Sequence, residues 1–99
     1  MEGFSDEKVE ILMRAIEKYG DKAQILQSIE EMSELTKELL KNVNRNSENV
    51  NEIIEEIADV QIMIIQLIMI YSKKDSEITN KFWGAIDYKI LRLKERLEK

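Results

Sequence analysis

Two short acidic phrases hold most of the chemistry open to this chain: Glu30-Glu31-Met32-Ser33-Glu34 and Glu55-Glu56-Ile57-Ala58-Asp59. On a helix, residues three and four apart are neighbours, so Glu31 projects with Glu34, and Glu56 with Asp59. Glu30 and Glu55 flank the two pairs, and Gln27 and Glu52 extend the stripes by one turn. Carboxylates gathered this way repel one another, and a hard divalent cation relieves the repulsion. Mg²⁺ or Mn²⁺ prefers carboxylate and water oxygens and keeps waters that substrate phosphates can replace. The 99 residues include no His and no Cys. That excludes imidazole and thiolate ligands, a histidine base and a Ser-His triad, and it disfavours Zn²⁺ and the Glu-x-x-His di-iron bundles.

The two phrases must sit on helices that bring them level. Helix spacing places Val9, Leu12, Ile16 and Tyr19 on one face of a first helix over about 6–19, with Ser5 as N-cap and Gly20 as stop. Asp21 with Gln24 has the form of a capping box for a second helix, whose Leu26, Ile29, Met32, Leu35, Leu39, Leu40 and Val43 share one face. Its acidic stripe lies roughly opposite, as a solvated face would, and ordinary surface pairing of Glu34 with Lys37 and the neighbouring Lys41 is the plainer alternative to a metal site. The polar stretch from Asn42 to Ser47 predicts a loop, and Asn49 with Glu52 has the capping pattern that opens a third helix over about 50–72. Lys73-Lys74-Asp75-Ser76 breaks the pattern again before Ile78, Phe82, Ile86, Ile90, Leu93 and Leu97 define a fourth helix. The reading is an all-α, four-helix single domain over 1–99, with helices 2 and 3 as an antiparallel central pair. At 1.5 Å per residue, a second helix ending near Val43 and a third starting near Val50 put Glu34 and Glu31 about 13–18 Å from the loop. Asp59 and Glu56 then lie about 14 and 9 Å from it, so the clusters agree to about one turn.

The second half of helix 3 is apolar in nearly every direction. Between Val60 and Tyr71 only Gln61 and Gln66 are strongly polar. A helix that is hydrophobic all round must be covered all round, and three short neighbours leave one side over. That side predicts a subunit interface, most simply a two-fold dimer, against the plainer alternative of a compact monomeric four-helix bundle with helix 3 at its centre. The size of the chain agrees, because a domain this small buries only about 65% of its unfolded surface.

Composition bounds the partners. With 20 acidic against 15 basic residues the net charge is −5, which argues against coating a nucleic-acid polymer. A nucleotide substrate remains open, since a bound divalent cation reverses the local sign. The residues after Met1 show neither a basic nor an apolar leader pattern, and the run from Val60 to Tyr71 is too short to span a bilayer. The expectation is a cytoplasmic protein without a membrane partner.

The paired phrases, Glu-Glu-x-x-Glu and then Glu-x-x-Asp after 21 intervening residues, resemble the MazG-like all-α nucleoside triphosphate pyrophosphohydrolases. That superfamily includes the dimeric dUTPases and dCTP pyrophosphatases. The similarity covers the hairpin from about Lys22 to Tyr71, with Ile-Glu-Glu-Met-Ser-Glu-Leu and Ile-Glu-Glu-Ile-Ala-Asp-Val as its most specific parts. The resemblance implies a dimer or dimer of dimers in which Glu31, Glu34, Glu56 and Asp59 hold Mg²⁺, with Mn²⁺ as a substitute. It implies cleavage of a nucleoside triphosphate to a monophosphate and pyrophosphate, as in the house-cleaning of nucleotide pools. Glu34 is the candidate for steering or deprotonating the attacking water, with Glu30 as the alternative, and Glu55 is expected to face solvent.

Two departures from the family pattern stand out. Many relatives contact the base through histidine, tryptophan or asparagine near the N-terminus, where this chain offers only Phe4 and Tyr19. Trp83 and Tyr88 on helix 4 are candidates for stacking a base, against the plainer role of filling core or interface. Lys22, Lys37, Lys41, Arg45, Lys73 and Lys74 are candidate phosphate partners, against the plainer role of surface charge. A different class of function stands beside the enzyme: a non-catalytic helical dimer that binds other proteins, or a relative that binds nucleotide without cleaving it.

Overall fold

A computed structural model describes residues 4–99, and its helices are α1 (Asp6–Tyr19), α2 (Asp21–Arg45), α3 (Val50–Ser72) and α4 (Ile78–Leu97). Among the described residues there is no strand, and none of the helices is long and apolar enough to cross a membrane. Ser5 caps α1 as expected, its Oγ accepting the Lys8 N–H at 3.3 Å. Gly20 then turns the chain with φ +91°, a conformation that costs glycine little and an L side chain a good deal.

The turn takes a single residue, so Asp21 already lies inside α2 and the expected capping box with Gln24 does not form. Gly20 is the cap residue instead. The Asp21 carboxylate pairs with Lys73 at 2.7 Å, and the Gln24 amide is used elsewhere. α2 also runs two residues past the expected end, to Arg45, and closes on Asn46 in the left-handed conformation (φ 53°). Asn49 does stand at the head of α3, but its side chain makes no cap.

α2 and α3 form the most extensive packing in the molecule. Their contacts run in opposite senses along the two helices: Glu38 meets Asn49 near the loop and Gln24 meets Gln66 at the far end, so the pair is antiparallel. The core is small. Ile16, Met63, Ile65 and Ile70 are its buried apolar members among the described residues. α1 closes over the far end of the pair, where Gln66 accepts from Gln24 at 2.7 Å and reaches the Leu12 carbonyl at 3.4 Å. Gln66 is thus buried as the polar tie of three helices.

The apolar face of α2 is left largely uncovered. Leu26, Ile29, Met32, Leu39, Leu40 and Val43 are exposed in the single chain, Val43 at 78%. The buried residues of α2 are Ser28 and Glu38, so the helix turns its polar side toward α3. The physical reason lies in Asn49, at the head of α3, and Gln66 within it, which hydrogen-bond Glu38 and Gln24 of α2 and so draw the polar side of that helix inward. α4 packs on α3 alone, with Ile78 and Phe82 beside Leu67, Ile68 and Tyr71, and has no buried residue.

A carboxylate cluster between α2 and α3

The antiparallel pairing brings the two acidic phrases together. Glu31 of α2 and Glu56 and Asp59 of α3 each offer a carboxylate oxygen, and these atoms lie within 4.8 Å of one another. Glu56 and Asp59 share a helix face because they are three residues apart. Glu31 reaches them because the register set by Glu38–Asn49 and Gln24–Gln66 puts it opposite both. One turn earlier on α2, Gln27 donates its amide to Glu31 Oε1 at 2.8 Å, which orients that carboxylate.

Glu56 is the least satisfied member. It is half-buried, and its Oε2 is shielded from water without a hydrogen-bond partner. Burial pushes its carboxyl above the usual range, and the charges of Asp59, Glu31, Glu34 and Glu38 push it further. A deprotonated oxygen so placed lacks a cation or a donor.

Glu34 lies outside the trio. It is exposed on α2, yet close enough for its charge to act on Glu56. Glu30 and Glu55 are exposed and belong to no carboxylate group among the described residues. Trp83 and Tyr88 sit on α4, which contributes nothing to the trio, and the Arg92 guanidinium lies 5.8 Å over the Tyr88 ring. Of the six candidate phosphate partners, Lys41 is paired with Glu38 at 3.1 Å and Lys73 with Asp21.

Glu38 and Asn49 are neighbours of the site whose part the sequence reading did not foresee. Both are buried, and the Asn49 amide donates to the Glu38 carbonyl at 2.8 Å and to its Oε1 at 3.2 Å. Asn49 and then Lys41 hold the Glu38 carboxyl below the usual range, so a formal negative charge persists in the hairpin. The signal was available, since Glu38 falls seven residues after Glu31 on the same helix face.

The donor set fits a hard divalent cation. It consists of oxygens only, it is drawn from two helices packed against each other, and Glu56 Oε2 is left without a partner. The chain matches no protein-family model, no curated protein and no solved structure.

Proposed function

We propose that this protein is a Mg²⁺-dependent, MazG-like nucleotide pyrophosphohydrolase that converts a nucleoside or deoxynucleoside triphosphate to its monophosphate and pyrophosphate. The observation that carries the reading is the convergence of Glu31 with Glu56 and Asp59, which joins the two halves of the acidic motif in space. The unpartnered Glu56 Oε2 supports it, because it marks where positive charge is wanted. In this reading Glu31, Glu56 and Asp59 hold Mg²⁺, and Glu34 either joins them or acts on the water. When bound, Mg²⁺ supplies charge neutralisation to the phosphates and acidifies water for in-line attack.

The remaining roles fall to the side chains. Gln27 keeps Glu31 turned toward the trio. Glu34 accepts the proton of the attacking water on its carboxylate, with Glu30 as the alternative base. The water oxygen bonds to phosphorus as the phosphoanhydride P–O bond breaks, and pyrophosphate separates from the monophosphate. The setting is the cytoplasm, the role is nucleotide-pool house-cleaning, and the working form is a homodimer or homotetramer. The exposed apolar stripe of α2 supports self-association. The same stripe favours a second reading, a non-catalytic helical oligomer that binds another protein.

One assay separates the two readings. A panel of NTPs and dNTPs is incubated with the protein and Mg²⁺, and released pyrophosphate is measured. The enzyme reading expects turnover that falls about 100-fold or more in Glu34→Gln and in Asp59→Asn. No pyrophosphate from any nucleotide, with the protein folded and Mg²⁺ present, overturns it.

A further inference from the structure

The fourth helix is built for a surface its own chain does not supply. Ile78, Phe82 and Ile86 are partly covered, the first two beside α3, and the same stripe then continues through Ile90, Leu93 and Leu97 into the open. Ile90 is 60% exposed and Leu97 76%. With Trp83, itself 48% exposed, the spacing Trp83, Ile86, Ile90, Leu93, Leu97 alternates four and three residues apart for its last four members. Such a series is a helix-packing seam over four turns. A polar helix would need no cover along that line. This one does.

The dimensions say how much surface is missing. A compact monomer of 11.7 kDa exposes about 5,900 Å², whereas this chain exposes 7892 Å². Its radius of gyration is 16.2 Å, against about 13 Å for a compact chain of 100 residues. The excess area of roughly 2,000 Å² exceeds the roughly 800 Å² that each partner buries in a standard interface, and suits an obligate homodimer.

Charge says what supplies it. Residues 78–99 carry six Lys or Arg and three Asp or Glu, whereas residues 1–77 carry nine against 17. A basic arm is attached to an acidic body. A second arm would meet this one with like charge, whereas a second body offers opposite charge, together with the uncovered apolar residues of α2. We propose that α4 is an exchange arm: from Ile86 onward it packs on the α1–α3 body of a second copy of this chain, while that copy's arm returns the contact. The arrangement is isologous and closes as a two-fold dimer. It rests on the self-association proposed above and is independent of the reaction, so either can fail alone.

The test uses the intact chain. Sedimentation equilibrium at micromolar concentration is expected to give at least twice the chain mass of 11.7 kDa. An equal mixture of ¹⁴N- and ¹⁵N-labelled protein is then treated with a zero-length carboxyl–amine cross-linker. The expected product is mixed-isotope peptides joining Lys89 or Lys94 to a carboxylate within residues 1–77. Ile90→Glu/Leu93→Glu is expected to shift the assembly toward monomer by at least tenfold in dissociation constant. A monomeric mass overturns the proposal, and so does an oligomer whose mixed-isotope links join only arm to arm or only body to body. Neither readout involves nucleotide, so loss of pyrophosphate release leaves this result unaffected.

Discussion

Asn49, at the head of α3, reaches back to Glu38 of α2 with a single amide that serves both the Glu38 carbonyl and its carboxylate. Its own side-chain oxygen accepts from Asn42 at 3.2 Å, and the Asn42 amide also reaches the Ser47 carbonyl at 3.1 Å. These bonds fasten the two ends of the α2–α3 loop to each other. They also set the vertical register that lets Glu31 stand opposite Glu56 and Asp59. A residue placed to cap a helix has been spent on fixing a hairpin.

Asn49→Ala is therefore expected to destabilise the protein by about 2 kcal/mol, because it leaves buried polar groups without partners. That corresponds to a fall of about 10 °C in melting temperature for a domain of this size. Thermal unfolding followed by far-ultraviolet circular dichroism checks it. An unchanged melting temperature would mean that the loop register is held by something else.

The carboxylate trio should weaken the metal-free protein as pH rises. The Glu56 carboxyl is held above its ordinary range, so the folded chain keeps a proton there that the unfolded chain has already lost. Stability is thus lost as pH climbs from the unfolded pKa of about 4.3 through the raised folded value. Glu38 works in the opposite sense: its lowered carboxyl contributes stability above the unfolded pKa that disappears as pH falls through the folded one. Glu56→Gln removes only the first effect. In the presence of a chelator it is expected to melt higher than the parent at neutral pH, with the gap closing toward pH ~4. A variant that melts lower than the parent at every pH contradicts this.

How much of this was legible in the sequence differs between backbone and packing. The four helices, the Ser5 cap and the Gly20 stop follow from local spacing and from residues whose chemistry acts within one turn. The convergence of Glu31 with Glu56 and Asp59 follows too, because an antiparallel hairpin of known rise fixes heights along two helices. Which side of α2 faces α3 did not follow. Ile29, Met32, Leu40 and Val43 share one face by spacing, but spacing alone does not say which surface covers that face, and the chain's own helices leave it exposed. The roles of Asn49 and Gln24 were equally hidden. Both match a local capping pattern, and both are taken by long-range partners, Glu38 and Gln66.

The pair Gln24–Gln66 offers a second test of polar matching. Gln66 is buried, and its Oε1 depends on the Gln24 amide at 2.7 Å. Gln24→Leu strands that oxygen and is expected to cost about 1–2 kcal/mol. Adding Gln66→Leu removes the stranded group, so the double variant should recover at least half of the loss. Urea denaturation of the four proteins of the cycle measures this. Additive losses would show that the two side chains do not depend on each other.

The claim beneath the functional reading is that Glu31, Glu56 and Asp59 together hold a divalent ion. Melting temperature against Mg²⁺ concentration tests it without any substrate, since a ligand that binds only the folded state raises stability as its concentration exceeds Kd. The expected result is a saturable rise in the parent protein, about 2.7 kcal/mol in stability at 100 times Kd, which Asp59→Asn and Glu31→Gln abolish. A melting temperature that does not respond to Mg²⁺ or Mn²⁺, or a rise that survives both substitutions, contradicts the account.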